Sequence, residues 1–179
     1  MRRLFYLLIL LCLTFSCTKA NRETIFVNQE TRISNFINSK TAADTNVTFV
    51  NNEGVYRVIM KKGEGDALSP NGNLSFYYAG YTFNGSVSIS NLFATNHAET
   101  AKKAGWSVED VERYQIMTVK LDEAGFVKGL SKGLEGVQAG ERAYVLFSGK
   151  YGFGGLAHGI VPANSALIYE IWVEAVTNN

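Results

Sequence analysis

The side chains that most often carry covalent or metal chemistry are few in this chain and poorly placed for it. His97 and His158 lie far apart without metal-ligand spacing, and a lone His in a polar loop is more often solvated than ligating, so no metal is expected. Ser148 and Ser165 have no His and carboxylate in a recognisable hydrolase arrangement, which leaves acyl transfer unsupported. The run Gly149-Lys150-Tyr151-Gly152-Phe153-Gly154-Gly155 has the glycine density of a phosphate loop. It lacks Gly-Lys-Ser/Thr and leads to Pro162 and a strand instead of a helix, so turn glycines account for it better.

Cys17 is a candidate for a specific modification. Met1-Arg2-Arg3, an apolar run over residues 4–15 and then Ser16-Cys17 make the n-region, h-region and small-residue cleavage site of a secretory signal. The run is about a dozen residues, against about 20 for a spanning helix, so removal is expected and not a permanent membrane span. Leu13-Thr14-Phe15-Ser16-Cys17 resembles the lipobox of bacterial lipoproteins, with Thr14 where Leu is commoner. That resemblance implies lipidation of Cys17, a membrane contact through the lipid and a place on the cell envelope. The plainer reading is a secreted cysteine; Cys12 lies in the removable run, so a mature chain has one thiol and no internal disulfide.

The 179 residues, 46% of them hydrophobic with two prolines, suit one globular domain plus appendages. A formal charge of +1 and the lack of any basic stripe give no reason to expect nucleic acid as a partner. Removal of residues 1–16 takes Arg2 and Arg3 from the 17 basic residues and leaves 15 against 16 acidic ones. No polybasic segment then remains to add a second membrane contact.

Three segments are expected: a signal over 1–16, a lipid-anchored tether with an amphipathic helix over 17–53, and a domain over 54–179. Over 21–38, Ile25, Phe26, Ile33, Phe36 and Ile37 recur at helical spacings, and the helix packs on the domain or on a second subunit. Residues 39–46 are small and polar and read as a loop. Strands are expected over 55–60, over 74–78 with Tyr78 on the apolar face, over 115–121, over 142–147, and over 166–176 with Leu167, Tyr169, Ile171 and Val173 on one face. Val127, Leu130, Leu134 and Val137 make one helical stripe, with Ala139-Gly140 as its stop. One helix among many strands favours an α+β domain whose antiparallel sheet wraps that helix.

Over residues 65–176 four segments, in order, resemble the FKBP family of peptidyl-prolyl isomerases. They are Phe76-Tyr77-Tyr78-Ala79-Gly80; Val127-Lys128-Gly129-Leu130 with Gly133-Leu134; Val137-Gln138-Ala139-Gly140-Glu141-Arg142-Ala143; and Tyr151-Gly152-Phe153-Gly154 with Gly159-Ile160-Val161-Pro162 and Ser165-Ala166-Leu167. The resemblance implies an FKBP-like antiparallel half-barrel around one helix, needing no cofactor. It also implies a substrate pocket of Tyr78, Phe93, Met117, Val127, Leu130, Phe153, Ile160 and Tyr169, with the backbone N–H of Val127 donating to a substrate carbonyl. About 14 residues, over 97–113, are extra between Phe93 and Met117. Thr95 or Asn96 as an N-cap, Gly105 as a stop and Ser107-Val108-Glu109-Asp110 as a restart predict two short helical pieces at the pocket rim. They serve either as a specificity element or as surface elaboration, and Trp106 is their notable residue.

Rotation about an X-Pro bond meets a barrier of about 18–20 kcal/mol, because the twisted amide loses resonance. No nucleophile is needed: a site lowers the barrier by binding the twisted, less polar amide better than either planar isomer, so apolar walls suffice. The chain departs from the family at Ala94, where an Asp is usual, at Leu130 for a tryptophan, at Met117 for an aromatic, and at Phe153 for a tyrosine able to donate a hydrogen bond. These departures predict weakened isomerase activity and poor macrolide binding. The expected function is a cell-envelope isomerase acting on proline-containing polypeptides and assisting the folding of exported proteins. The alternative is a non-catalytic FKBP-fold binding or chaperone module; the oligomeric state is left open.

Overall fold

The computed structural model describes the backbone of residues 2–178 and the side chains of residues 20–178. The anchor expected at Cys17 lies outside the described side chains. Helix α1 (Arg2–Ala43) is followed by seven strands, β1 (Thr48–Asn52), β2 (Val55–Lys61), β3 (Asn73–Thr82), β4 (Leu92–Thr95), β5 (Met117–Lys120), β6 (Arg142–Phe147) and β7 (Leu167–Thr177). Two shorter helices, α2 (Ala98–Lys103) and α3 (Lys128–Leu134), interrupt them. The strands form one antiparallel sheet in the order β1-β2-β6-β7-β3-β4, with β5 also paired to β3.

Period-two alternation gives the sheet two apolar faces. Leu74 and Phe76 of β3, Ala143, Val145 and Phe147 of β6, and Leu167, Tyr169, Ile171 and Val173 of β7 pack with Leu130, Leu134 and Val137 on the face covered by α3. The intervening residues Ala79, Tyr81, Leu146 and Ile168 meet Ile33, Phe36 and Ile37 of α1 on the other face. The α1 residues that bury are Phe26, Ile33, Phe36 and Ile37, whereas Ile25 stays 43% exposed. Gln29 completes the dock: its Nε2 donates to the Asn164 carbonyl at 2.7 Å and its Oε1 accepts the Gly149 N–H at 2.9 Å. Among the residues with described side chains, no helix is long and apolar enough to cross a membrane.

Helix α1 runs through the segment 39–43 expected to be loop. Ser39 and Thr41 donate their hydroxyls to the carbonyls of Phe36 and Ile37, and Lys40 lies 5.3 Å over the Phe36 ring, so these residues extend the last turn instead of ending it. Strand β1, absent from the sequence reading, pairs with β2 through a two-residue turn in which Glu53 (φ 51) and Gly54 (φ 90) are both left-handed. That conformation matches the twist of the flanking strands, but Glu is an uncommon residue to adopt it, which hid the hairpin.

Helix α3 ends at Leu134, earlier than its apolar stripe implied, and Ala139-Gly140 is not its stop. Arg57 of β2 supplies the termination. Its guanidinium donates to the carbonyls of Gly133 (3.0 Å), Glu135 (2.5 Å) and Gly136 (3.1 Å), and its Nε sits 3.0 Å from Glu141 Oε1. Both partners are almost fully buried. Burial pushes the Glu141 carboxyl up, against the opposing pull of Arg57, and pushes the Arg57 guanidinium down, against Glu141. Two glycines let α3 lie close on β6: a Cβ on Gly129 would come 2.3 Å from the Phe147 ring, and one on Gly133 would come 2.1 Å from Val145 Cγ1.

Candidate functional site

At the N-terminal end of α3 the half-rolled sheet leaves a cavity of about 720 Å³. Its floor is Leu130 of α3, 4% exposed, and Tyr169 of β7, 5% exposed. Tyr78 of β3, Phe93 and Ala94 of β4, and Phe126 and Val127 at the start of α3 make the walls. Phe153, His158, Gly159 and Ile160 close the site from the long loop between β6 and β7. Trp106 and Arg113 enter from the insertion.

The aromatic rings brace one another. Phe93 meets Tyr169 edge-on at 5.7 Å and 88°, Phe93 meets Phe153 at 6.1 Å, and Tyr78 lies 6.3 Å from Tyr169. Such offset and edge-on pairs add about 0.5–1.5 kcal/mol each beyond burial and hold the rings in fixed orientations. Gly80 makes the Phe93–Tyr169 contact possible, because a Cβ there would lie 2.8 Å from both rings.

Neither the Tyr78 nor the Tyr169 hydroxyl has a hydrogen-bond partner among the described residues, and burial pushes both phenols up. Arg113, which lines the cavity together with Tyr78, opposes that rise at Tyr78. Both phenols are therefore neutral donors near neutral pH. Val127, the residue before α3, accepts the Leu130 and Ser131 N–H groups on its carbonyl. Its own N–H has no acceptor among the described residues and remains available at the cavity wall.

Seven of the eight expected pocket residues converge here: Tyr78, Phe93, Val127, Leu130, Phe153, Ile160 and Tyr169. Met117 does not line this cavity. It faces an adjoining groove of about 390 Å³ that shares Tyr78, Phe93, Ala94 and Arg113 with it. Ile160 is 73% exposed, because it sits at a loop tip closed by reciprocal His158 and Val161 backbone bonds of 2.9 Å. It forms a rim rather than a wall.

His158 is not simply solvated: it stacks on Phe153 at 4.3 Å and 11° beside the cavity. His97 stacks on Trp172 at 4.2 Å and 13°. Among the described residues no three of His, Cys, Asp or Glu gather as a possible metal-ligand set.

The insertion interrupts what would otherwise be one edge strand, since β4 pairs with residues 79–81 of β3 and β5 pairs with 73–76. Asn96 fills the gap. Its Oδ1 accepts the Tyr78 N–H at 2.7 Å, and its Nδ2 donates to the Phe76 and Gln115 carbonyls at 3.2 and 3.1 Å. The residue expected as a helix cap thus stands in for missing ladder partners. His97 occupies the N-cap position of α2 without a side-chain cap bond. No helix restarts at Ser107; the second piece is a 3₁₀ turn over Val111–Tyr114.

Arg113, Phe126 and His158 were missed as lining residues. Phe126 adjoins the Val127 motif and was legible there; Arg113 carries no local signal, since only the fold of the insertion brings it to the rim.

Comparison with known proteins agrees with this architecture. The family model described as FKBP-type peptidyl-prolyl cis-trans isomerase matches residues 65–174. The chain is 25% identical over 118 residues to FK506-binding protein 1 of Aspergillus oryzae, a match that covers 66% of this chain and 94% of that protein. The structure of a peptidyl-prolyl cis-trans isomerase from Pseudomonas syringae superposes with a TM-score of 0.57 at 18% identity, covering 87% of this chain and 96% of the other. A wheat protein with three FKBP domains superposes with a TM-score of 0.57 at 21% identity over 74% of this chain, which spans about half (51%) of that protein's structure. At these identities the two superpositions speak for the fold, and the family model speaks for descent; the chain belongs to the FKBP-type peptidyl-prolyl cis-trans isomerases.

Proposed function

We propose that the cavity takes the ring of a substrate proline and holds the preceding amide partly rotated, so that the chain catalyses X-Pro isomerisation in polypeptides exported to the cell envelope. The convergence of Tyr78, Val127 and Tyr169 on one open apolar cavity carries this reading. Phe93, Leu130 and Tyr169 offer the low-polarity surroundings that favour the resonance-depleted amide over its planar isomers. The unpaired Val127 N–H and the two neutral phenols are donors for the substrate carbonyls. Uncatalysed isomerisation takes tens to hundreds of seconds at 25 °C, slow enough to limit the folding of an exported chain. Placement on the envelope rests on the signal-like residues 1–16 and on Cys17, whose lipid would tether the domain.

A protease-coupled assay on an uncharged prolyl peptide tests the catalytic reading. Tyr78→Ala lowers kcat/KM about tenfold or more, the loss of roughly 1.4 kcal/mol of transition-state binding, and Ala94→Asp raises it by restoring a polar anchor. Wild-type turnover below family level is expected from Ala94, Leu130 and Phe153.

The second reading, a non-catalytic binding or chaperone module, is favoured by one observation: among the described residues no carboxylate lines the cavity. It predicts that wild type and both variants all remain near the uncatalysed rate.

A further inference from the structure

Deepening the isomerase reading, and resting on it for the position of the proline, we infer that Arg113 makes the site selective for polypeptides carrying an acidic residue beside the proline. Among the described residues fourteen line the cavity, and they include one arginine and no aspartate or glutamate. The arginine is built into place. It lies on the 3₁₀ turn Val111–Tyr114, and that turn is pinned by buried Tyr114, whose hydroxyl donates to the Ser107 carbonyl at 2.8 Å. The guanidinium lies 5.3 Å over the Trp106 ring and 5.7 Å over the Tyr114 ring.

A guanidinium held over aromatic rings at these distances is attracted to their faces and can still donate its N–H groups to a carboxylate. Arg113 forms no ion pair with any described residue. Glu112, its chain neighbour, lines the adjoining groove and not the cavity. A bound peptide therefore meets a positive, donor-bearing rim next to an apolar floor. Asp or Glu beside the proline gains a charge-assisted hydrogen bond there, and Lys or Arg meets repulsion.

The inserted segment is then a specificity element. Its Trp106, half-buried and packed against the cluster on the face covered by α1, lines the cavity beside the arginine and backs its guanidinium.

The test compares acetyl-capped Glu-Pro and Gln-Pro peptides of otherwise identical sequence, with kcat/KM for isomerisation and affinity by amide-shift titration measured on the full chain. The pair differs in charge and hardly in shape. The expected wild-type preference for Glu over Gln is about two- to fivefold, the size of a partly exposed ion pair, and it shrinks with added salt. Arg113→Gln brings the ratio to about one, Arg113→Lys retains part of it, and Ala94→Asp abolishes it by offering Arg113 an internal carboxylate.

An unchanged ratio in Arg113→Gln, or no Glu preference in wild type, overturns the inference while leaving isomerisation intact. Should no peptide be turned over, the titrations decide. Tighter, Arg113-dependent binding of the Glu peptide upholds the selectivity and sinks the isomerase reading. Equal affinity, or no binding of either peptide, overturns the selectivity as well.

Discussion

At the scale of single residues, polar side chains in this protein repeatedly do work that no local pattern announces. Asn96 replaces the strand partner that the insertion removes, using both ends of its amide on β3 and Gln115. His97, next to it, stacks on Trp172 and donates to or accepts from Thr100 at 2.9 Å. Burial holds its pKa below the ordinary value, although Glu170 and Glu99 favour the cation; Lys103 and Arg142 oppose the cation as well. A base whose folded pKa is depressed binds protons more readily when unfolded, so its contribution is present above the unfolded pKa of about 6.5 and is lost as pH falls from there toward the folded pKa. Urea midpoints of wild type should therefore drop between pH 7 and pH 5 by more than those of His97→Phe, which keeps the stack but cannot titrate. Parallel pH profiles for the two proteins would contradict this account.

At the scale of elements, the termination of α3 shows how an ion pair and a helix end become one feature. Arg57 satisfies three carbonyls that the short helix and its exit leave without intrahelical donors, and Glu141 neutralises it. Arg57→Ala would leave a buried carboxylate and those carbonyls unpaired, a destabilisation of about 3–5 kcal/mol measurable by urea unfolding. Gly133→Ala provides a second check. Helix propensity alone predicts a gain of about 1 kcal/mol, but the added methyl would lie 2.1 Å from Val145 Cγ1. Overpacking of that kind costs about 1–3 kcal/mol, so the expected net change is a loss of stability, and a stabilised variant would show that α3 is not seated on β6 as described.

At the scale of the whole molecule, the two sheet faces have separate duties. The α3 face carries the cavity, and the opposite face is covered by α1 through Ile33, Phe36 and Ile37. The described start of that contact, Gln29 on Asn164 and Gly149, ties α1 to the loop between β6 and β7. On the proposed lipid anchoring, Cys17→Ser in the full chain moves the protein from the membrane fraction to the soluble fraction of its host cell and removes incorporation of a labelled fatty acid. Unchanged fractionation with no label in wild type would leave Cys17 an ordinary secreted cysteine.

The places of β2, β3, β5, β6 and β7 along the chain, the faces of β3 and β7 and most of the cavity lining were legible from the sequence, because alternation and the four motif segments are local properties of the chain; β1, β4 and the order of strands in the sheet were not. Tyr78, Val127, Leu130, Phe153 and Tyr169 could be assigned to one site without coordinates, through the resemblance those segments carry. What local pattern could not supply are contacts between distant segments. The arrest of α3 depends on Arg57, 76 residues before Gly133 in the chain, the extension of α1 depends on its seat against Phe83 and Tyr144, and Met117, paired with Phe76 at the start of β5, faces the side groove. Arg113 is the clearest case. Nothing in its neighbourhood along the chain distinguishes it from a solvated arginine, and only the packing of Trp106 and Tyr114 brings its charge to the mouth of an otherwise apolar site.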